Sequence, residues 1–291
     1  MKTFSAVSAE TKRLNLRLIY IIVGLAAWLL VSCDNNEVGL NNDLLDDEST
    51  QFEAEDDFFL EDVDDMAGFS LAQESSSGGK VATDRRFDCA VVTRTGDDNS
   101  GTIVIDFGDG CPGPRGHIRR GKIIIEYTGR YFVPGSSWTT SFEDYSIDSV
   151  KVEGTRNVTN ITDEANDFFT FDVVMEDGAM TWPDGRKATR RVHHRRDEHR
   201  DENHLLDRLI VYGTAEGNHR NGRGFYIEIL EPLVYKRECR EEGVFIPVEG
   251  VKLIKHGQRE ITVDYGDGRC DNIVTITNKN GRSWEYEVGG H

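Results

Sequence analysis

The sequence predicts an all-β protein, a mostly antiparallel meander of about 10–14 strands arranged as an open curved sheet, a sandwich or a partial barrel. Three observations carry that reading. From residue 85 to the end, apolar and polar residues alternate at period two, and no segment there sustains helical periodicity. The alternating segments are rich in β-branched and aromatic residues, with Gly, Asn and Asp between them. The intervals between segments are of hairpin length, too short for the crossover helices that parallel strands require.

The N-terminal element is a signal segment. Lys2, Lys12, Arg13 and Arg17 precede an apolar run of 14 residues, LIYIIVGLAAWLLV, at positions 18–31. That run is too short for a mature membrane span and has the layout of a secretory signal peptide covering residues 1–32. It ends Leu30-Val31-Ser32-Cys33, a small residue before Cys in the pattern of a bacterial lipobox. Cys33 is therefore the expected lipidation site and the mature N-terminus, and its partner is a lipid bilayer. Two or more acyl chains anchor stably because each buried methylene contributes about 0.8 kcal/mol. The expected location is the outer membrane, at its periplasmic face or the cell surface.

The second element, residues 33–84, is acidic. Fourteen Asp and Glu and no Lys or Arg lie between residues 34 and 66, and the formal charge of the whole chain is −18. A block of like charge without counterions repels itself and stays extended, so these residues are expected to form a flexible, solvated tether. Within it Phe52, Phe59, Val63 and Met66 fall near helical spacing, predicting a short amphipathic helix over about 52–67. The ESSSGGK at 74–80 reads as a flexible linker. The acidic balance also argues against a nucleic-acid partner, since phosphate binding needs clustered Lys and Arg.

The third element, residues 85–291, holds the strands, as one unit or as two β subdomains. The segments are DCAVVTRT, GTIVIDF, GKIIIEYTG, SIDSVKVEG, FFTFDVVMED, RLIVYGTA, GFYIEIL, REITVDYG, DNIVTITN and RSWEYEV. Alternation places Ile103, Ile105 and Phe107 on one face of their strand and Ile261, Val263 and Tyr265 on one face of another. These two strands open an internal echo. Asp106-Phe107-Gly108-Asp109-Gly110-Cys111 is matched by Asp264-Tyr265-Gly266-Asp267-Gly268-Arg269-Cys270, with one residue inserted. Gly-Asp-Gly after an alternating strand reads as a tight turn, in which Gly takes positive φ and Asp bonds the backbone two residues on. As calcium ligands the four Asp residues lack the bidentate Glu and the alternating ligand run of a calcium loop, so no metal is expected there.

The lipobox, the acidic tether, the two D-[FY]-G-D-G-C motifs and the segments GKIIIEYTGRY, VEGTR, GTAEGNHRNGRGF and PLVYKREC together resemble a family of envelope lipoproteins of Bacteroidota. The resemblance spans nearly all of residues 85–291. It implies membership and an envelope location and brings no activity with it.

In an oxidising envelope the other four cysteines are expected to pair. Of the three pairings open to them, Cys89–Cys111 and Cys239–Cys270 suit hairpins best, because each pair is roughly equidistant from a turn candidate, at 96–101 and 255–257.

Chemistry is harder to find. Asp106-Phe107-Gly108 and His199-Arg200-Asp201 spell kinase tripeptides in reversed order and without the accompanying glycine-rich loop or paired Lys. No nucleophile elbow, zincin, P-loop or dinucleotide motif is present. The segment RKATRRVHHRRDEHRDENH carries His193, His194, His199 and His204. It alternates charges of both signs, reads as a solvated hairpin, and predicts neither zinc nor any other cofactor. Tyr131, Trp138, Tyr145 and Trp182 could build a sugar platform but read as core. Two functions stand: a non-enzymatic binding or structural β module for an unknown protein or glycan ligand, or an envelope hydrolase whose paired carboxylates act on glycan.

Overall fold

The computed structural model describes residues 35–72, 85–113 and 116–288, with side chains from residue 46 onward. The signal segment, Cys33 and the 74–80 linker lie outside the described residues. The chain divides into two units, Met1–Leu45 and Asp46–His291. Everything said below of packing concerns the second.

Helix α1 spans Asn35–Ala72. The strands follow as β1 (Val91–Gly96), β2 (Ser100–Asp106), β3 (Cys111–Pro112), β4 (Ile118–Thr128), β5 (Ser137–Ile147), β6 (Val150–Glu153), β7 (Arg156–Asn160), β8 (Phe169–Thr181), β9 (Lys187–His199), β10 (Arg208–Asn218) and β11 (Gly224–Lys236). A five-residue helix, α2 (Arg237–Glu241), separates them from β12 (Glu249–His256), β13 (Arg259–Asp267), β14 (Ile273–Asn278) and β15 (Ser283–Glu287). All fifteen strands join one sheet, ordered β1-β2-β4-β5-β6-β8-β9-β10-β11-β12-β13-β14-β15, with β3 on β4 and β7 between β5 and β8. Every ladder is antiparallel. The meander is thus present as one continuous sheet, slightly longer than the composition suggested.

The alternation does what period two requires. Ile103 and Ile105 of β2 face Ile125 and Ile123 of β4, and all four are buried. Ile261, Val263 and Tyr265 share the buried face of β13. Five strands escape the apolar pattern, namely β3, β5, β7, β9 and β12, because polar or charged residues sit on their inward faces or their length is short. The segment SIDSVKVEG is two strands, not one. Asp148 and Ser149 both take positive φ, 49° and 68°, and form a two-residue turn that pairs Ile147 with Val150. In β4, Gly121 marks a bulge against β5. Its φ is +71°, and a Cβ there would sit 2.2 Å from the Asp144 carbonyl oxygen.

The acidic segment is not a tether. It is helical far beyond 52–67, and none of its residues from 46 to 72 is exposed. Val63, Met66 and Ala67 have no exposed surface at all. Phe59, Val63, Met66, Ala67 and Leu71 pack with β2, β4, β5, β7 and β8 in one core cluster, and Leu60 joins a second built from Met175 of β8 and from β9 to β15. Gly68 lets the helix approach Tyr131, whose hydroxyl would lie 3.1 Å from an added Cβ. The sheet therefore curls around its own helix. Charge counting within residues 34–66 failed because counterions such as Arg119 and Arg259 come from 57 and 213 residues later in the sequence. The ladder is not closed by hydrogen bonds among the described residues, and β1 and β15 are its two edges.

Both expected disulfides are present, Cys89–Cys111 with Cα atoms 5.5 Å apart and Cys239–Cys270 at 4.9 Å. Neither is a ladder pair. Cys111 is carried past the end of β2 onto β3, and Cys239 lies on α2, so the second bridge ties a helix to the β13–β14 turn. A small apolar cluster of Cys239, Val244 and Val248 seats it.

Candidate functional site

Most of the buried charged residues of the described chain converge on the interior filled by residues 46–72 of α1. Position two residues apart in a strand means the same face, so inward positions of β9 are Ala188, Arg190, Val192, His194 and Arg196. Arg190 and Arg196 are 2% and 6% exposed. Arg190 clamps Glu53 through both Nη atoms, at 2.7 and 2.8 Å, and reaches Asp57 at 2.9 Å. Lys252 of β12 enters from the far side, its Nζ 3.0 Å from Glu53 and 2.6 Å from Asp57. One helical turn pair further along, Arg156 of β7 grips Asp64, and Arg196 is shared between Asp64 and Glu61. Arg119 of β4 bonds Asp62, Arg240 of α2 bonds Asp65, and Arg259 of β13 bonds Asp46. Trp284 of β15 donates its Nε1–H to Asp47.

Burying such groups is expensive unless each is paired and hydrogen-bonded, and most of these are. The environment then sets their protonation. Burial pushes Glu53 upward, but the Arg190 and Lys252 charges outweigh it and hold the carboxyl well below the usual range. Asp64 is likewise held low against its burial by Arg156 and Arg196. Asp56 goes the other way. Burial and the neighbouring Glu53, Asp57 and Glu55 raise it far above the ordinary value in spite of Arg190, and its Oδ2 has no hydrogen-bond partner among the described residues. Glu61 is raised by burial and by Asp64. Tyr131, whose hydroxyl donates to Glu198 at 2.6 Å, is raised by burial and by that carboxylate.

Beside Glu53 sits a second buried group. His219 stacks on Phe225 with ring centroids 4.3 Å apart, touches Phe52 and lies 5.1 Å from His256. Burial lowers His219 to about 3 and also lowers His256, so both rings are neutral.

The residues singled out in sequence do not converge. Asp106 and Asp264 each accept a bond from the backbone N–H two residues on, Gly108 at 2.8 Å and Gly266 at 2.9 Å, as turn residues should. Gly108, Gly266 and Gly268 have positive φ and Gly110 does not. Asp109 and Asp267 are exposed, the latter bonded to Arg269. His193 reaches Asp172, His199 stacks on Phe168, and His204 lies near Asp207. His194, on the inward face of β9, is lowered by burial and by Arg156. The reading of this segment as a solvated hairpin is therefore corrected: only one face of β9 meets water. Tyr131, Trp138 and Tyr145 are core, and Trp182 is half-buried under Arg220. The only close group of three ligand-type residues among the described ones is Glu238, Cys239 and Cys270, whose sulfurs are spent in the disulfide.

A recess of about 510 Å³ opens on the sheet where β8 bulges between Met175 and Gly178. Of its three carboxylates, Glu176 and Glu216 are both bonded by Arg191, at 3.2 and 3.3 Å, and Asp177 accepts from the Thr155 N–H at 2.8 Å. The inward basic residues were the missed signal: Arg190, His194 and Arg196 recur at even spacing in a charged run that reads as surface until its strand is recognised. Among the described residues no helix is long and apolar enough to cross a membrane.

The fold and interior define an antiparallel β protein wrapped around an acidic helix. No protein-family model matches the chain, and neither a curated protein nor a solved structure matches it.

Proposed function

We propose that this chain is a lipid-anchored envelope protein, held in the outer membrane through acylated Cys33, whose β domain binds a protein or glycan partner and catalyses nothing. The lipobox and the resemblance to Bacteroidota lipoproteins support the anchor. One observation carries the binding reading. The buried carboxylates Glu53 and Asp56 are each 1% exposed in the interior, and of the three recess carboxylates Glu176 and Glu216 are bridged by Arg191 while Asp177 accepts from the Thr155 N–H at 2.8 Å. A rigid, disulfide-stapled scaffold whose concavity is already filled presents its outer face and loops to a partner.

Palmitate labelling with fractionation tests the anchor. The native chain should carry label and sediment with membranes, and Cys33→Ser should lose both. Unchanged membrane retention of the variant would remove the anchor from the reading. Release of reducing ends from envelope glycan, abolished by Asp56→Asn, would replace the binding module by a hydrolase, because Glu53 and Asp56 have their pKa values driven apart in the manner of an acid–base pair.

A further inference from the structure

The chain holds two Asn-Gly pairs, Asn221-Gly222 and Asn280-Gly281, and each falls at the tip of a hairpin, β10–β11 and β14–β15. The two tips are built alike. In each the glycine N–H donates to the carbonyl three residues back, Gly222 to His219 and Gly281 to Asn278, both at 2.8 Å. Both glycines take positive φ, 80° and 79°, and all four residues are exposed. A second bond closes each base, from the His219 N–H to the Arg223 carbonyl and from the Asn278 N–H to the Arg282 carbonyl, both at 2.9 Å.

The tips differ in what holds the Asn side chain before the glycine. Asn221 is pinned at both ends of its amide: Oδ1 accepts from the Arg223 N–H at 3.1 Å and Nδ2 donates to Glu48 at 3.2 Å. The Asn280 amide has no hydrogen-bond partner among the described residues. The side-chain bonds of that turn come from Asn278, whose Oδ1 accepts from the Asn280 and Arg282 N–H groups at 3.0 and 3.2 Å.

We propose that Asn280 is a site of spontaneous covalent modification by water, deamidating to aspartate and isoaspartate, and that Asn221 is protected in the same kind of turn by its two side-chain bonds. A glycine has no Cβ to shield its backbone nitrogen from the side chain before it. The Gly281 nitrogen loses its proton to solvent base and bonds to Asn280 Cγ. The Cγ–Nδ2 bond breaks, and the amide nitrogen takes up a proton and leaves as ammonia. Water then opens the five-membered imide at either carbonyl, giving aspartate or, with the main chain rerouted through Cβ, isoaspartate. The balance is one amide and one water to one carboxylic acid and one ammonia. Swinging Cγ over the glycine nitrogen breaks the same turn bond at both tips, so the side-chain bonds decide the ratio of rates.

The modification acts on an edge. β15 pairs with β14 alone, from Ile273 with Glu287 to Thr277 with Ser283, and it reaches α1 through the Trp284 bond to Asp47. Isoaspartate adds one backbone carbon to the turn beside the Thr277 and Ser283 pair. The added length loosens β15 and its hold on the helix.

The purified full chain is aged at neutral and at mildly alkaline pH and mapped by peptide mass spectrometry. Conversion at Asn280 should be at least tenfold faster than at Asn221, the loss of two hydrogen bonds being the difference, and it should speed up with pH. Glu48→Ala should raise the Asn221 rate severalfold and leave Asn280 as it was. Hydrogen exchange across residues 283–287 should be faster in the isoaspartate form, isolated by ion exchange, than in Asn280→Asp, which carries the charge without the added carbon. Equal rates at the two sites, faster conversion at Asn221, or an Asn221 rate unmoved by Glu48→Ala would overturn the assignment. An isoaspartate form that exchanges as slowly as Asn280→Asp would overturn the loosening of the edge.

Discussion

Arg156 and Asp64 are 92 residues apart in sequence and form a two-pronged ion pair, Nε to Oδ1 and Nη2 to Oδ2, both at 2.6 Å. The guanidinium is 1% exposed and the carboxylate 9%. Fork-to-fork geometry of this kind gives the strongest class of hydrogen bond available to side chains. It also creates an obligation, since either partner alone would be a buried uncompensated charge.

Arg156→Met should therefore destabilise the protein by about 3–5 kcal/mol, and Asp64→Leu by a similar amount. The double variant should recover most of the loss, because an apolar pair of similar volume is tolerated where a lone charge is not. Urea unfolding of the four proteins gives the coupling directly. Additive losses would mean that the pair is not coupled, and that Arg196 or Glu61 carries the helix at this level.

A chain starting at residue 85 should not fold cooperatively. Removing the helix strips Arg119, Arg156, Arg190, Arg196 and Lys252 of their carboxylates and opens the cavity that Val63, Met66 and Ala67 fill. Circular dichroism melting is the measurement. A sigmoidal melt within a few degrees of the parent would show that the sheet closes on itself without the helix.

Three buried histidines, His194, His219 and His256, are held below the ordinary value by burial, and His219 gives the clearest pH dependence. Its folded value, about 3, lies below the ordinary 6.5, so the unfolded chain binds the extra proton. The neutral-ring contribution is complete above pH 6.5 and is lost as pH falls from there toward 3. Glu53 and Asp64, held low in the fold, add a second loss as pH drops below their unfolded values near 4. Asp56 and Glu61 are raised and act in the opposite sense, becoming less unfavourable as they protonate. His219→Phe keeps the stack on Phe225 and removes the titration. It should lessen the stability lost between pH 6.5 and 5 by on the order of 2 kcal/mol. An unchanged pH profile in that window would place the acid sensitivity elsewhere.

Each disulfide closes a modest loop, 22 residues for Cys89–Cys111 and 31 for Cys239–Cys270. Replacing either pair by Ala should cost about 3 kcal/mol through the unfolded chain. Cys239→Ala/Cys270→Ala should in addition raise hydrogen exchange across residues 237–248, because that bridge anchors α2 and the loop after it. Exchange that stays slow there would mean that Val244 and Val248 hold the loop without the bridge.

What the sequence by itself determined is local. Period-two alternation made Ile103, Ile105, Ile261 and Val263 inward-facing, because a strand has only two faces and water selects between them. Asp106 and Asp264 were turn residues for the same local reason, since the Asx bond spans only two residues. The cysteine pairs were legible from their spacing, although α2 and β3, not a plain ladder, bring them together. The role of residues 46–72 was decided only by the tertiary structure. The fourteen acids of residues 34–66, with no neighbouring cation, read as a repelling, solvated block as long as counterions are sought nearby in the chain. Arg119, Arg156, Arg190, Arg196 and Lys252 lie dozens to hundreds of residues away and meet the helix only once the sheet has curled. Electrostatic pairing acts through space and not along the sequence, so neither partner's composition announces the other.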